Sequence, residues 1–499
     1  MKRAFMTLFA VLAVLQLAAE EPAPSARLTL TLDRALEIAL NDNPMIRVAD
    51  LEIQRQDYVR KETVGNLLPS LSASGSYSYA AIKQTMSRSG LTFGADNTVS
   101  LGADLSVPLF VPAVYASIKM NRTQMEEAIE SARASRLSLV NEVRKAFYNL
   151  LLLRESLDVL HESESLSQKT VDDTQGKFEA ELASEYDLLT AQVQLSSLQP
   201  TIIQTEGAIE VADLYLHMLL SLPMDVALEL EGSLDGFADA AEANAYYSTD
   251  ISNNSDLRSL DIQARLLENQ LKVVNAQRMP TIAAFGQFSL YGNDMPEINF
   301  GDAGWGSMFP DVDLAKYPDL VAGVTNALGP AGMADLAGLM GDLLGGMGSS
   351  SATTSHSFWW QHPLTFGVSI SIPIFSGTRV NQQARQTRIA IEQLQLQREY
   401  QEESLGMQVR SSISNLMTAR SKMAASETSV AQAQKAYDIT DARYGGGMGT
   451  ILELNSAQLQ LTQARLNYTQ AVYDYLAAQA DYEQIVGMDY EVAGTEQNQ

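Results

Sequence analysis

Metal or general-acid chemistry in this chain would have to start from its four histidines, His161, His217, His356 and His362. They form no H-E-x-x-H, the spacing that sets two imidazoles and a general base on one helix face. His356 and His362 share one loop, and that pair alone is not expected to hold zinc. The chain has no cysteine, which excludes thiol nucleophiles, Cys-based metal sites and disulfides. Gly445-Gly446-Gly447 does not follow a strand and belongs to no G-x-x-x-x-G-K-[ST], so it reads as a helix end and turn rather than a phosphate cradle. The carboxylates are scattered, as on solvated helix faces. No catalytic constellation and no cofactor motif is visible, and neither an enzyme nor a cofactor is expected.

The formal net charge of −26 argues against nucleic acid as a partner, because phosphates need a basic footprint. Lys2 and Arg3 precede an apolar run at 4–17 and the small pair Ala18-Ala19. That order predicts a secretory signal peptide at 1–19. The run is shorter than the ~20 residues a membrane anchor needs. No cysteine follows it, which argues against a lipoprotein, and no later segment reads as a transmembrane helix.

The second half of the chain repeats the first. LPSLSASGSYSY from Leu68 returns as MPTIAAFGQFSLY from Met279, and SLGADLSVPLF from Ser100 as TFGVSISIPIF from Thr365. KFEAELASEYDLLTAQVQL from Lys177 returns as RYGGGMGTILELNSAQLQL from Arg443. A duplicated unit of long helices and alternating strands points to a tube rather than an active site. The expected organisation is a first repeat at 20–243, a second at 244–490 with a loop insert at 292–362, and a tail at 491–499.

Within each repeat the periodicity predicts the same elements. In the first, a helix at 33–64 precedes strands around 71–79 and 101–109. A helix over 114–175 ends at Gly176, and another over 185–221 is kinked by Pro200 and stopped by Pro223. Residues 224–248 read as a linker. In the second, a helix at 249–276 precedes strands around 282–290 and 364–374. Helices at 378–443 and 451–486 follow, the last closed by Gly487. A helix of more than 60 residues is ~90 Å long, more than a compact domain needs. The two shorter helices of each half, stacked end to end, match the long one and can lie alongside it.

The strands have one apolar face and one small polar face, and about the 9–11 residues that cross an outer membrane. Four strands are too few for a barrel, and open edges cannot sit in lipid, so chains must pool them; a trimer gives twelve. A soluble sandwich or a periplasmic coiled-coil scaffold is the alternative. Trp359 and Trp360 suit an interfacial girdle. The insert, rich in Gly, Met, Ala and Ser, reads as an external loop or a plug.

These motifs are similar to those of the TolC-like outer membrane efflux proteins. The carriers are SVPLF at 106–110, SIPIF at 371–375, and RYGGGMGTILELNSAQLQL with its earlier partner. The resemblance implies a mainly α chain with a membrane β-barrel: four strands per chain, a homotrimer with a twelve-stranded barrel in outer membrane lipid, and a long-helix α-barrel in the periplasm of a Gram-negative-type envelope. It implies a passive conduit, driven by an inner-membrane transporter of RND, ABC or MFS type through a periplasmic adaptor. Type I protein secretion is the alternative use of the same duct.

The resemblance also places the turns near 176–184 and 445–449 at the periplasmic tip. The candidate adaptor contacts are Phe178, Leu182, Gly445, Gly446, Gly447, Gly449 and Thr450. The candidate pore-entrance residues are Glu453, Asp187, Ser456 and Tyr444. Glu453 matches the first of the family's lumenal acidic positions, and Ser456 stands at the second, so the paired ring is incomplete. Asp187 is the first-half equivalent of Glu453. In a trimer these give up to six carboxylates, which would attract cations and, crowded, resist full ionisation. The alternative is that both are ordinary exposed helix residues. Tyr444 matches the latch tyrosine, but Gly449 stands where the latch arginine is expected, with Arg443 adjacent, so no gating hydrogen bond is assigned.

Overall fold

The computed structural model describes residues 27–82, 84, 85, 92, 93, 95–243, 247–294 and 359–490. The expected signal peptide, the tail, His356 and nearly all of the insert lie outside the described residues. The chain divides into two compact units. One is helical and comprises the described parts of Met1–Gly65, Pro112–Met279 and Pro373–Gln499. The other carries the long strands, in Asn66–Val111 and Pro280–Ile372.

In the helical unit, strand β1 (Arg27–Leu30) leads into α1 (Leu32–Asp42) and α2 (Pro44–Gly65). The single helix expected at 33–64 is two. Pro44 has no N–H and forces its predecessor out of the helical region, and Asn43 is extended at φ −65°, ψ 126°. Helix α3 (Pro112–Glu179) has 68 residues. It runs through Gly176, where a break was expected. A glycine lowers helix propensity by only about 1 kcal/mol, and Thr174, one turn before the helix ends, is fully buried. Helix α4 (Glu185–Leu220) has 36 residues and continues through Pro200.

Residues 224–248 are not a plain linker. They hold β6 (Ala227–Leu230), which pairs in parallel with β1, and α5 (Leu234–Ala243). Four-residue strands are too short to show a period, which is why both escaped the sequence reading. In the second half, α6 (Ser255–Ala276) has 22 residues and starts later than expected, at the cap Asn254. Helix α7 (Arg379–Gly445) has 67 residues and α8 (Ile451–Val486) 36, the latter ended by Gly487 at φ 77°.

Helix lengths therefore match between the halves, 22 for α2 and α6, 36 for α4 and α8. Both α2 and α4 pack along α3, and both α6 and α8 along α7. The largest core lies where α1, α5 and the middle of the long helices meet, around Leu36, Phe147, Leu150, Leu216, Leu234 and Tyr475, all fully buried. Among the described residues no helix is long and apolar enough to cross a membrane.

The strand unit is an antiparallel sheet. Its order is β2 (Ser70–Tyr79), β5 (Asn97–Phe110), β7 (Thr281–Asn293), then β8 (Trp359–Gln361) and β9 (Leu364–Ser371), which pair with opposite ends of β7. A short ribbon, β3 (Gln84–Thr85) with β4 (Thr92–Phe93), joins β2 to β5. Strand β9 ends before Ile372 and Ile374, short of the 374 expected.

Register sorts the side chains. Leu71, Leu105, Gly286 and Phe366 lie in one row across the sheet, and Tyr77, Val99, Gly292 and Trp360 in another. Partners across an antiparallel pair share a face, so these rows belong to one apolar face. It is open: Leu71, Phe366, Val368 and Ile370 are all more than 60 % exposed. The other face carries Ser72, Ser74, Ser76, Ser100, Asp104 and Ser369, with Ser76 Oγ 2.8 Å from Ser100 Oγ. Three glycines sit opposite aromatic rings: Gly286 under Phe366, Gly292 under Trp360 and Gly367 under Phe285. A Cβ on Gly292 or Gly367 would come within 2.8 Å of the ring, so the small residue is what lets each ring lie flat.

Candidate functional site

The two helical turns singled out in the sequence have the same construction. Lys177 and Arg443 each accept a bond five residues ahead, from Leu182 N at 2.7 Å and Met448 N at 2.8 Å. That is the Schellman closure, which needs a left-handed residue one position earlier. Gly447 takes it at φ 71°, and Glu181 takes it at φ 59°. Glycine does so freely, whereas a glutamate costs on the order of 1 kcal/mol. The side chains that follow, Leu182 and Met448, are about three-quarters or more exposed, and Phe178 is partly so.

Each turn then opens a helix with a capping box. Asp187 N donates to Ser184 Oγ at 3.2 Å, and Ser184 N to Asp187 Oδ2 at 3.0 Å. Glu453 N donates to Thr450 Oγ1 and Thr450 N to Glu453 Oε2, both at 3.2 Å. The two carboxylates proposed for the entrance therefore satisfy helix ends. Arg443 Nη2 lies 3.8 Å from Glu453 Oε2 and donates to Met448 O at 3.3 Å. Among the described residues no hydrogen bond or ion pair joins Glu453 to Asp187. Ser456 is exposed one turn beyond Glu453.

Tyr444 is buried, with its hydroxyl 2.7 Å from Thr174 Oγ1. Lys177 Nζ donates to Tyr444 O at 2.9 Å and stands 3.7 Å from the ring centroid, a cation–π contact. Neither Thr174 nor Lys177 was singled out in the sequence; they reach Tyr444 from 270 and 267 positions away. Gly449 has a steric reason to be glycine, since a Cβ there would meet Tyr444 N at 3.1 Å. Gly445 and Gly447 face open space, and Gly446 closes the helix through Ala442 O at 3.0 Å.

Behind the turns, the seam between α3 and α8 is polar. Ser163, Ser167, Thr170, Thr174, Gln458 and Thr462 are all buried. Gln458 Nε2 donates to Ser163 O at 2.9 Å and Ser167 Oγ at 2.7 Å, and Ser163 Oγ lies 2.8 Å from Thr462 Oγ1. Among the described residues the oxygens Asn455 Oδ1 and Gln458 Oε1 have no hydrogen-bond partner. Such a seam fixes register more than it adds stability, since an unmade buried bond costs about 1–3 kcal/mol.

The histidines do not converge. His217 is buried between the carbonyls of Asp213 and Val226, each at 2.8 Å, and His161 faces Glu164. Among the described residues no group of three or more acidic or histidine side chains is placed to hold a metal.

The family profile for outer membrane efflux proteins matches residues 35–221 and 342–488, about two thirds of the chain. The chain belongs to the outer membrane efflux protein family. Its members are channels rather than enzymes, and the protein resides in the outer membrane. Solved structures agree on the fold. The outer membrane protein VceC from Vibrio cholerae is 14 % identical, with 91 % of this chain and 96 % of that one covered at a TM-score of 0.65. The CmeC outer membrane channel of Campylobacter jejuni is 14 % identical, covering 93 % and 87 % at 0.65. The MtrE outer membrane channel of Neisseria gonorrhoeae, in its open state, is 16 % identical, covering 91 % and 88 % at 0.64. No curated protein matches the sequence.

Proposed function

We propose that this efflux protein works as a homotrimer, in which three four-stranded sheets close a twelve-stranded barrel in outer membrane lipid and the helical units enclose a periplasmic conduit. A periplasmic adaptor docks at the two turns around Leu182 and Met448 and joins the conduit to an inner-membrane transporter of RND, ABC or MFS type. Glu453 and Asp187 flank the entrance, Ser456 lies one turn inside, and Tyr444 holds the turn closed.

One observation carries the assembly: among the described residues, β2 and β9 end the sheet with unpaired edges, on a face that is apolar from edge to edge. Lipid offers no hydrogen bonds, so those edges require strands from other copies. Helix α4 supports the same reading. Leu188, Leu198, Ile202 and Leu216 are buried on one side, while Tyr186, Val193, Ile203 and Leu214 are exposed on the other at coiled-coil spacing. A helix with two seams needs a neighbour on each side.

The test uses the cysteine-free background. Cysteines at Ser74 on β2 and Ser369 on β9 should crosslink between copies into covalent trimers in intact cells. Crosslinks that stop at dimers, or none with both residues labelled, would remove the trimeric barrel.

A further inference from the structure

The middle of α3 faces α8, α1 and α5 across two adjoining half-open grooves of about 290 and 560 Å3, which share Arg144, Gln479, Ala480 and Glu483. They lie wholly within the helical unit and away from the turns. Both fall near the 300–1,000 Å3 range of small-molecule sites. Their walls combine three features that close packing alone does not require.

The first is unspent hydrogen-bonding capacity. Among the described residues, Asn141 Oδ1 and Gln479 Oε1 are buried acceptors without partners, and Arg144 Nε is a buried donor without one. Asn141 is 8 % exposed and Tyr148 7 %, and the Tyr148 hydroxyl has no hydrogen bond among the described residues. Burial pushes that hydroxyl up to about 12; Arg144 opposes the rise, and Glu483 and Asp33 add to it. The second is excess negative charge. Asp33, Glu231, Glu483 and Asp489 line the two grooves against the single guanidinium of Arg144, which is already paired with Glu483. Asp33 accepts from the Tyr490 hydroxyl and Asp489 is paired with Arg133, but the solvent-exposed Glu231 carboxylate has no ion-pair partner among the described residues. The third is apolar surface. Leu32, Phe237 and Leu476 line the larger groove, and the Phe237 and Tyr148 rings stand 5.5 Å apart at 55°.

An anion would face four carboxylates, and a bare metal ion would gain nothing from the aromatic wall. Water satisfies the polar atoms but leaves the half-buried Leu32 and Phe237 wet. A positively charged head with an apolar body satisfies all three features. We infer that this groove binds a small amphiphilic organic amine, its ammonium between Glu231, the Tyr148 hydroxyl and Gln479 Oε1, and its apolar body on Leu32 and Phe237. The site needs only the helical unit, so it stands apart from the conduit reading and from the entrance carboxylates.

The test is a titration of the purified, assembled full-length protein with dansylcadaverine, a primary amine on an aromatic body. Its N-acetyl derivative, identical but neutral, is the control. The amine should bind saturably, and the acetylated dye about tenfold more weakly. Glu231→Gln should weaken the amine about tenfold and Tyr148→Phe by less, with both variants melting as the parent does. Equal binding of the two dyes would mean apolar partitioning and overturn the proposal. Unchanged affinity in a folded Glu231→Gln variant would do the same. So would binding seen only in a chain truncated after Tyr490, or only in separated protomers, because the groove would then belong to the protein's own tail or to a second copy.

Discussion

Asn43 and Leu219 join two helices end to end. Asn43 Nδ2 donates to the Leu219 carbonyl at 2.8 Å, while its Oδ1 accepts from Met45 N at 2.8 Å. One side chain thus satisfies the last turn of α4 and the first turn of α2. The second half repeats the device. Asn254 Nδ2 donates to Ile485 O at 2.7 Å at the end of α8, and its Oδ1 accepts from Asp256 N and Leu257 N at the start of α6. Both asparagines are buried. A 36-residue and a 22-residue helix thereby act as one rod along a helix of 67 or 68. Asn43→Ala and Asn254→Ala each strand a carbonyl and remove a cap, so each should cost about 1–3 kcal/mol. Denaturant unfolding of the detergent-solubilised protein measures it, and unchanged midpoints would show that the joint carries no load.

Much of this was legible in the sequence because long helices and alternating strands announce themselves by period. The stacking of short helices along the long one followed from residue counts. Asn43 and Asn254 were not legible, since a lone asparagine before a helix reads only as a cap, and its second bond goes to a carbonyl 176 positions away in one case. The Pro44 break was visible in principle, as the residue before a proline leaves the helical region. At the turns, Tyr444 and Gly449 were picked out by resemblance, but Lys177 and Thr174 needed three dimensions. The capping role of Glu453 was readable too: T-x-x-E at 450–453 and S-x-x-D at 184–187 stand in the sequence.

The Tyr444–Thr174 contact is a hydroxyl pair with no solvent to replace it. Tyr444→Phe and Thr174→Val should each destabilise the protein by about 0.5–1.5 kcal/mol. The double variant should cost clearly less than the two together, because both remove the same bond. The variants should also raise the frequency of spontaneous opening of single channels in planar bilayers. Additive losses would mean that the two hydroxyls do not act on each other.

The observed capping role of Glu453 and its proposed role at the entrance separate by substitution. Glutamine retains the capping box but not the charge, whereas alanine loses both. Glu453→Gln should therefore lower cation selectivity, read as reversal potential in a salt gradient, at nearly unchanged stability. Glu453→Ala should lower selectivity equally and also cost about 0.5–2 kcal/mol. If Glu453→Gln leaves the reversal potential where it was, the carboxylate serves only the helix end and does not line the pore.

Alkaline pH should weaken the helical unit. Burial, followed by the hydrogen bond to Asp235 at 2.8 Å, holds the Tyr468 hydroxyl above its ordinary value. Burial and the bond to Asp33 do the same for Tyr490. A tyrosine in the unfolded chain ionises near ~10. Above that pH the unfolded chain has released protons that the native state still binds, so the slope of stability with pH is negative. The stabilisation is complete below about pH 10 and is lost as pH rises through the elevated native values. Tyr468→Phe removes one titrating group from both states. It should be less stable than the parent at neutral pH, for want of the Asp235 bond, and should lose less on going to high pH. Unfolding midpoints across about pH 8 to 11 give the slope for each protein. A variant whose midpoint falls as steeply as the parent's would place the alkaline weakness in other groups.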